Sequence, residues 1–107
     1  MTNQQQEWLD FAKSMALEAG DIMRKYFGKK PDSHLKANNT IVTVADEEIN
    51  DLVIKRVTER YPDHDIDGEE ANQRRGSKYV WVCDPIDGTA SFAIGLPVSV
   101  FSLALVI

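Results

Sequence analysis

Tyr79-Val80-Trp81-Val82-Cys83, followed by Asp84-Pro85-Ile86-Asp87-Gly88-Thr89-Ala90-Ser91-Phe92, is the stretch around which the chain is organised. Its first five residues are β-branched, aromatic and uncharged, the pattern of a buried strand. Two carboxylates then stand where that strand is expected to end. Pro85 sets φ for a turn, and Ile86 separates the acids so that a curled chain points both the same way. Gly88 permits close approach of backbone to a ligand, and Thr89 adds a hydroxyl. Asp-Pro and Asp-Gly are also common turn dipeptides, and taken alone they read as a turn. Two acids, a hydroxyl and exposed amides at the carboxyl end of a strand nevertheless suit a divalent cation and a phosphate. The crevice beyond strand C-termini is where α/β proteins usually bind ligands.

Upstream, residues 4–27 predict a helix. Trp8, Phe11, Met15, Ala19, Ile22, Met23, Tyr26 and Phe27 recur at helical spacing and form one apolar stripe for packing. Gly28 stops it, with Lys29 and Lys30 at the negative end of the dipole and Pro31 beyond. Short strands at 33–36 and 40–44 flank the turn cluster Ala37-Asn38-Asn39 and predict a hairpin. A second helix is expected over 44–60, with Thr43 at its N-cap and Ile49, Leu52, Val53 and Val57 as its stripe; Tyr61-Pro62 ends it. Residues 65–67 fit a short strand leading to Gly68-Glu69-Glu70, and 71–78, with Arg74-Arg75-Gly76, read as polar loop. Beyond the central motif, 97–107 form a long apolar strand. Over 98–107 it has neither charge nor proline, and complete proteins usually cover such a strand, so the chain is expected to be a fragment.

At 107 residues the chain holds one domain at most, 1–107. With 43% hydrophobic residues it can build a core, although a chain of this size buries only about two-thirds of its surface. The net charge of −5 and the lack of a basic stripe argue against nucleic acid as a partner. The acids gather at Asp46-Glu47-Glu48, between Asp63 and Glu70, and at Asp84 and Asp87, where a cation would go. Cys83 is alone and sits in the strand pattern, so it reads as a small buried hydrophobe and asks for no oxidising compartment. No basic region followed by an apolar run marks a signal peptide, and the longest apolar run is too short for a membrane helix. The expectation is a cytoplasmic protein with no membrane partner, for which a homodimer stays open. His34 and His64 fall in hairpin and loop positions and are expected to play surface roles.

Asp46 fits a capping box with Thr43, and capping alone would explain it. Glu69 and Glu70 alone would read as exposed loop acids. As a set the segments say more. The string DPIDGTASF behind an apolar strand closely resembles the metal-binding motif of the inositol monophosphatase family. Thr43-Val44-Ala45-Asp46 resembles the family's first acidic segment, and Ile66-Asp67-Gly68-Glu69-Glu70 its Gly-Glu-Glu segment. The three occur in the family's order with compatible spacing, over nearly the whole chain but only the N-terminal part of the family's.

The resemblance implies an α+β fold, the layered α-β-α-β-α arrangement shared with sugar bisphosphatases, truncated after an early strand of the sheet. It implies a Mg2+-dependent phosphatase whose substrate is a small phosphate monoester, inositol monophosphate by default. Relatives' substrates include histidinol phosphate, phosphoadenosine phosphate and fructose bisphosphate, and residues 91–97 faintly resemble the histidinol phosphatase branch. By that resemblance Glu69, Asp84, Asp87 and the carbonyl of Ile86 are metal ligands. Asp46 and Thr89 orient and deprotonate the attacking water. The amides of Gly88, Thr89 and Ala90, with Glu69 beside them, hold the substrate phosphate.

These roles make chemical sense. Hard cations such as Mg2+ take oxygen ligands from a few carboxylates, water and substrate phosphate. Adjacent ions activate water and stabilise the leaving alkoxide, so no serine, cysteine or histidine nucleophile is required. Departures also stand out. Asp67 adds an acid where the family has an apolar or small residue, and Ala90 and Ser91 replace the Thr/Lys and Asn usual after Asp-Gly-Thr. The family's later Trp-Asp segment, which supplies another metal-binding aspartate, is not among these residues. The rival reading is a non-catalytic chain that binds metal weakly or pairs with a partner through 98–107.

Overall fold

The computed structural model describes residues 1–27, 33–35, 41–69, 72–93 and 99–107. The helix-end signals at 28–31, the turn at 37–39, Glu70 and the segment 94–98 lie outside the described residues.

Helix α1 (Asn3–Tyr26) starts at Thr2, whose side chain accepts the Gln5 N–H while the Gln5 side chain accepts the Thr2 N–H. This reciprocal cap satisfies two donors that the helix itself leaves without partners. Its apolar stripe packs inward as expected, with Met15 and Ala19 buried. Strands β1 (Ser33–Leu35) and β2 (Ile41–Thr43) pair antiparallel, the predicted hairpin. Helix α2 (Val44–Arg60) follows directly and buries Ala45, Ile49, Val53 and Val57.

Four strands form a mixed sheet: β3 (Asp65–Gly68), β4 (Asn72–Gln73), β5 (Val80–Asp87) and β6 (Val100–Val106), in the order β4-β3-β5-β6. β3 and β5 run parallel, with Ile66 opposite Trp81 and Gly68 opposite Cys83; the other pairs are antiparallel. α1 packs on α2 and β6, and α2 on β5, so both long helices cover one face of the sheet. Side chains alternate across a strand. Trp81 and Cys83 therefore point into the core with Ile66, Val53 and Val57, while Val82 is exposed on the opposite face. A second core cluster joins Ala19, Ala45, Ile49, Ile86 and Phe92, and Phe101 packs against both. This helix-and-sheet architecture is the expected α+β class.

Three local expectations change. The strand that was to end at Cys83 continues to Asp87, and the turn comes one residue later, at Gly88. The ladder shifts register between Asp84 and Asp87, so that Pro85 and Ile86 together face Phe101. Proline lacks an N–H and is tolerated at such a bulge, while burial of Ile86 holds the chain extended. The polar loop contains the two-residue strand β4. Helix α3 (Thr89–Ala93) then leaves the sheet, pinned by the fully buried Phe92.

Candidate active site

The site is assembled at the carboxyl ends of β3 and β5, and it begins with the start of α2. Thr43 caps that helix: its hydroxyl accepts the Asp46 N–H at 3.3 Å, and its own N–H donates to Asp46 Oδ2 at 2.8 Å. Asp46 is therefore a capping residue, as its spacing predicts, and it is also only 1% exposed. A buried carboxylate requires donors around it, and besides the Thr43 N–H one comes from far along the chain. Thr89 Oγ1 donates to Asp46 Oδ1 at 2.8 Å and also lies 2.8 Å from the carbonyl of Ile86.

Glu69 and Asp84 meet because β3 and β5 are parallel and end in step. The Glu69 N–H donates to the carbonyl of Cys83 at 3.0 Å, which places Glu69 beside the first residue of the motif. Burial, a hydrogen bond shared with Glu69, and the charges of Glu69, Asp87 and Asp46 push the Asp84 carboxyl up to about 7. A proton held by Asp84 relieves that crowding. A cation is the alternative way to relieve the same crowding.

Among the described residues no three carboxylate, imidazole or thiol side chains converge tightly enough to form a metal cage of their own. The donor chemistry nonetheless fits a hard cation, since the Glu69 and Asp84 carboxyls crowd at one point and the Ile86 carbonyl lies on the same strand end. Asp87 is exposed beyond the register shift. Asp46 has its oxygens engaged by Thr43 and Thr89. Gly88 takes φ +87°, a conformation that side-chain-bearing residues rarely adopt, and it turns the chain into α3. The amides of Thr89 and Ala90 then lie in the first turn of α3, where backbone N–H groups have no partner within a helix.

The structure thus brings Asp46, Glu69, Asp84, Asp87 and Thr89 to one end of the sheet. Two other acids are committed elsewhere. Asp67 forms an ion pair with Arg74 at 3.3 Å, so its added charge is partly answered. Asp65 is buried and accepts the N–H groups of Gly76 and Ser77, both at 2.9 Å, fastening the loop before β5. His64 is not a plain surface residue. It is half-buried between Tyr61 and Tyr79, with ring centroids 4.7 and 4.8 Å away, and its Nδ1 accepts the indole N–H of Trp81 at 3.0 Å. Thr43, which the sequence places at the cap and at the head of the Thr-Val-Ala-Asp segment, also donates its hydroxyl to Asp46 Oδ2 at 2.6 Å, a contact that its spacing alone did not signal.

Residues 4–107 match the model of the inositol monophosphatase family. The chain is 33% identical to inositol monophosphatase 1 of Sus scrofa over 114 aligned positions, covering 100% of this chain and 41% of that protein. It is 41% identical over 88 positions to the bifunctional phosphatase IMPL2 of Arabidopsis thaliana, covering 79% of this chain and 25% of the relative. The solved IMPase of Thermotoga maritima superposes with a TM-score of 0.86 at 32% identity, over 94% of this chain and 39% of that one. The chain therefore spans well under half the length of these relatives.

Proposed function

The chain belongs to the inositol monophosphatase family, and from that premise we propose that it supplies part of the active site of a Mg2+-dependent phosphatase acting on a small phosphate monoester, with inositol monophosphate as first candidate. The observation that carries this reading is the bond between Thr89 and Asp46, residues 43 positions apart, formed beside the crowded Glu69–Asp84 pair.

In this reading Glu69, Asp84, Asp87 and the Ile86 carbonyl hold the metal. Bound there, Mg2+ would lower the pKa of coordinated water and offset charge on the phosphoryl oxygens. Thr89 orients the attacking water through its hydroxyl oxygen while its own proton rests on Asp46 Oδ1. As the water is deprotonated, its proton passes to Thr89 Oγ1 and the Thr89 hydroxyl proton passes on to Asp46 Oδ1. The amides of Gly88, Thr89 and Ala90 face the phosphate, with the positive end of α3 behind them. Burial of Asp46 keeps bulk water from competing for its oxygens.

The test is Mg2+-dependent release of inorganic phosphate from inositol monophosphate, with histidinol phosphate and fructose bisphosphate in parallel. Release that disappears in Asp84→Asn supports the reading, and the preferred monoester names the substrate. A second reading is favoured by one observation. Among the described residues β6 pairs only with β5, and Val100 and Val106 are each 52% exposed. Association that rises with concentration, with no turnover of any of these monoesters, would favour a non-catalytic binding role.

A further inference from the structure

An N-cap needs a side-chain oxygen that accepts a hydrogen bond from the first turn. Thr43 meets that need by accepting the Asp46 N–H, yet its hydroxyl proton does something a cap does not require. Thr43 Oγ1 donates to Asp46 Oδ2 at 2.6 Å, the same oxygen that receives the Thr43 N–H at 2.8 Å. A carboxylate on its own rotates broadly about its terminal torsion. With two donors from one residue fixed on Oδ2, the carboxylate plane is held and Oδ1 is left facing Thr89. Thr43 is fully buried, so water does not stand in for either donor.

The consequence concerns where the Thr89 proton goes. Thr89 has one hydroxyl proton and two acceptors at 2.8 Å, Asp46 Oδ1 and the Ile86 carbonyl. A charged acceptor takes the stronger bond, but only while Asp46 is turned toward Thr89. We propose that Thr43 is a positioning residue that locks the Asp46 carboxylate, directs the Thr89 proton to Asp46, and so leaves the Ile86 carbonyl free of that proton. The assignment rests on the phosphatase reading for its catalytic meaning, and its structural content stands apart from it.

A double-mutant cycle in metal-free urea unfolding tests the lock without activity. Thr43→Val, Thr89→Val and the double variant are compared with the wild-type chain. Thr43 and Thr89 bond opposite oxygens of one carboxylate, so their effects should couple through it. The unfolding constant of the double variant should depart from the product of the single effects by about threefold or more. A simple product overturns the proposal, because a cap acts independently of Thr89. Should Thr43→Val not fold, Thr43→Gly takes its place, since glycine at an N-cap costs little while removing the hydroxyl.

In phosphate release, Thr43→Val should lower kcat by about tenfold to a hundredfold with little change in KM, and Thr43→Ser should restore it. Retained kcat in a folded Thr43→Val variant overturns the positioning role. If the wild-type protein, with the rest of its active site present, releases no phosphate from any monoester, the phosphatase reading fails, and the unfolding cycle still decides whether Thr43 holds Asp46.

Discussion

The Glu69 N–H donates to the Cys83 carbonyl at 3.0 Å, and this one backbone bond sets the Glu69 and Asp84 side chains next to each other. Two charges about 4 Å apart repel by about 4 kcal/mol at an effective dielectric of 20. A cation that binds there should therefore stabilise the fold. At ten times its Kd it would add about 1.4 kcal/mol, so millimolar Mg2+ should raise Tm by several degrees. Glu69→Gln and Asp84→Asn should each remove most of that increment. A wild-type Tm that ignores Mg2+ would count against the metal assignment.

Trp81 and His64 predict a pH effect of definite sign. Burial lowers the His64 pKa from its ordinary 6.5, against an opposing pull from Asp63. Nδ1 must stay unprotonated to accept the Trp81 N–H. Below about 6.5 the unfolded chain takes up a proton that the folded ring resists, so this contribution is present at higher pH and is lost as pH falls. Asp84, whose pKa is raised, gives the opposite slope between its ordinary value and about 7. The difference in stability between wild type and His64→Gln across pH 5 to 8 isolates the histidine. That difference should grow in favour of wild type as pH rises, with Trp81 indole fluorescence changing over the same range.

Asp65 holds the chain between β4 and β5 through the Gly76 and Ser77 amides, and Arg74 lies 3.8 Å from the same oxygen. Burial alone would raise its pKa, but the backbone donors of Arg75, Ser77 and Gly76 and the charge of Arg74 outweigh it and hold the carboxyl below its usual range. The anchoring is therefore present above the ordinary aspartate pKa and lost as pH falls through the lower folded value. Asp65→Ala should free the loop, and trypsin should cut after Arg74 or Arg75 severalfold faster than in wild type.

Phe92 ties α3 to the helical layer, packing with Ala19, Ala45, Ile49 and Ile86, and its ring centroid lies 5.9 Å from that of Phe27. Phe92→Ala should cost about 3–5 kcal/mol, measured by urea unfolding. It should also weaken the Thr89–Asp46 bond, because Thr89 opens the helix that Phe92 anchors. Phe92→Leu should recover most of the loss.

Much of the architecture is legible along the chain. Helical periodicity from Trp8 to Tyr26, the Thr43 cap, and the uncharged run at Val80 to Cys83 each depend on neighbours a few residues away. Local sterics and local hydrogen bonds settle such features. The candidate site residues are likewise close along the chain, since Asp84, Ile86, Asp87, Gly88 and Thr89 lie within six consecutive positions and the other segments carry their own strings. The bulge was not visible. Asp-Pro-Ile-Asp-Gly reads as a turn from its own residues, and only burial of Ile86 opposite Phe101 keeps the strand going to Asp87.

By itself the sequence determined the family, the order of helices and strands, and which acids gather near the motif. Tertiary structure alone decided what those acids touch. The parallel register of β3 and β5 sets Glu69 against Asp84, α3 carries Thr89 back to Asp46, and the Tyr61–Tyr79 stack turns His64 into an acceptor for Trp81. The Glu69–Asp84, Trp81–His64 and Thr89–Asp46 contacts join residues 15, 17 and 43 positions apart. Their geometry comes from how elements pack on a shared core, and no local propensity encodes that packing.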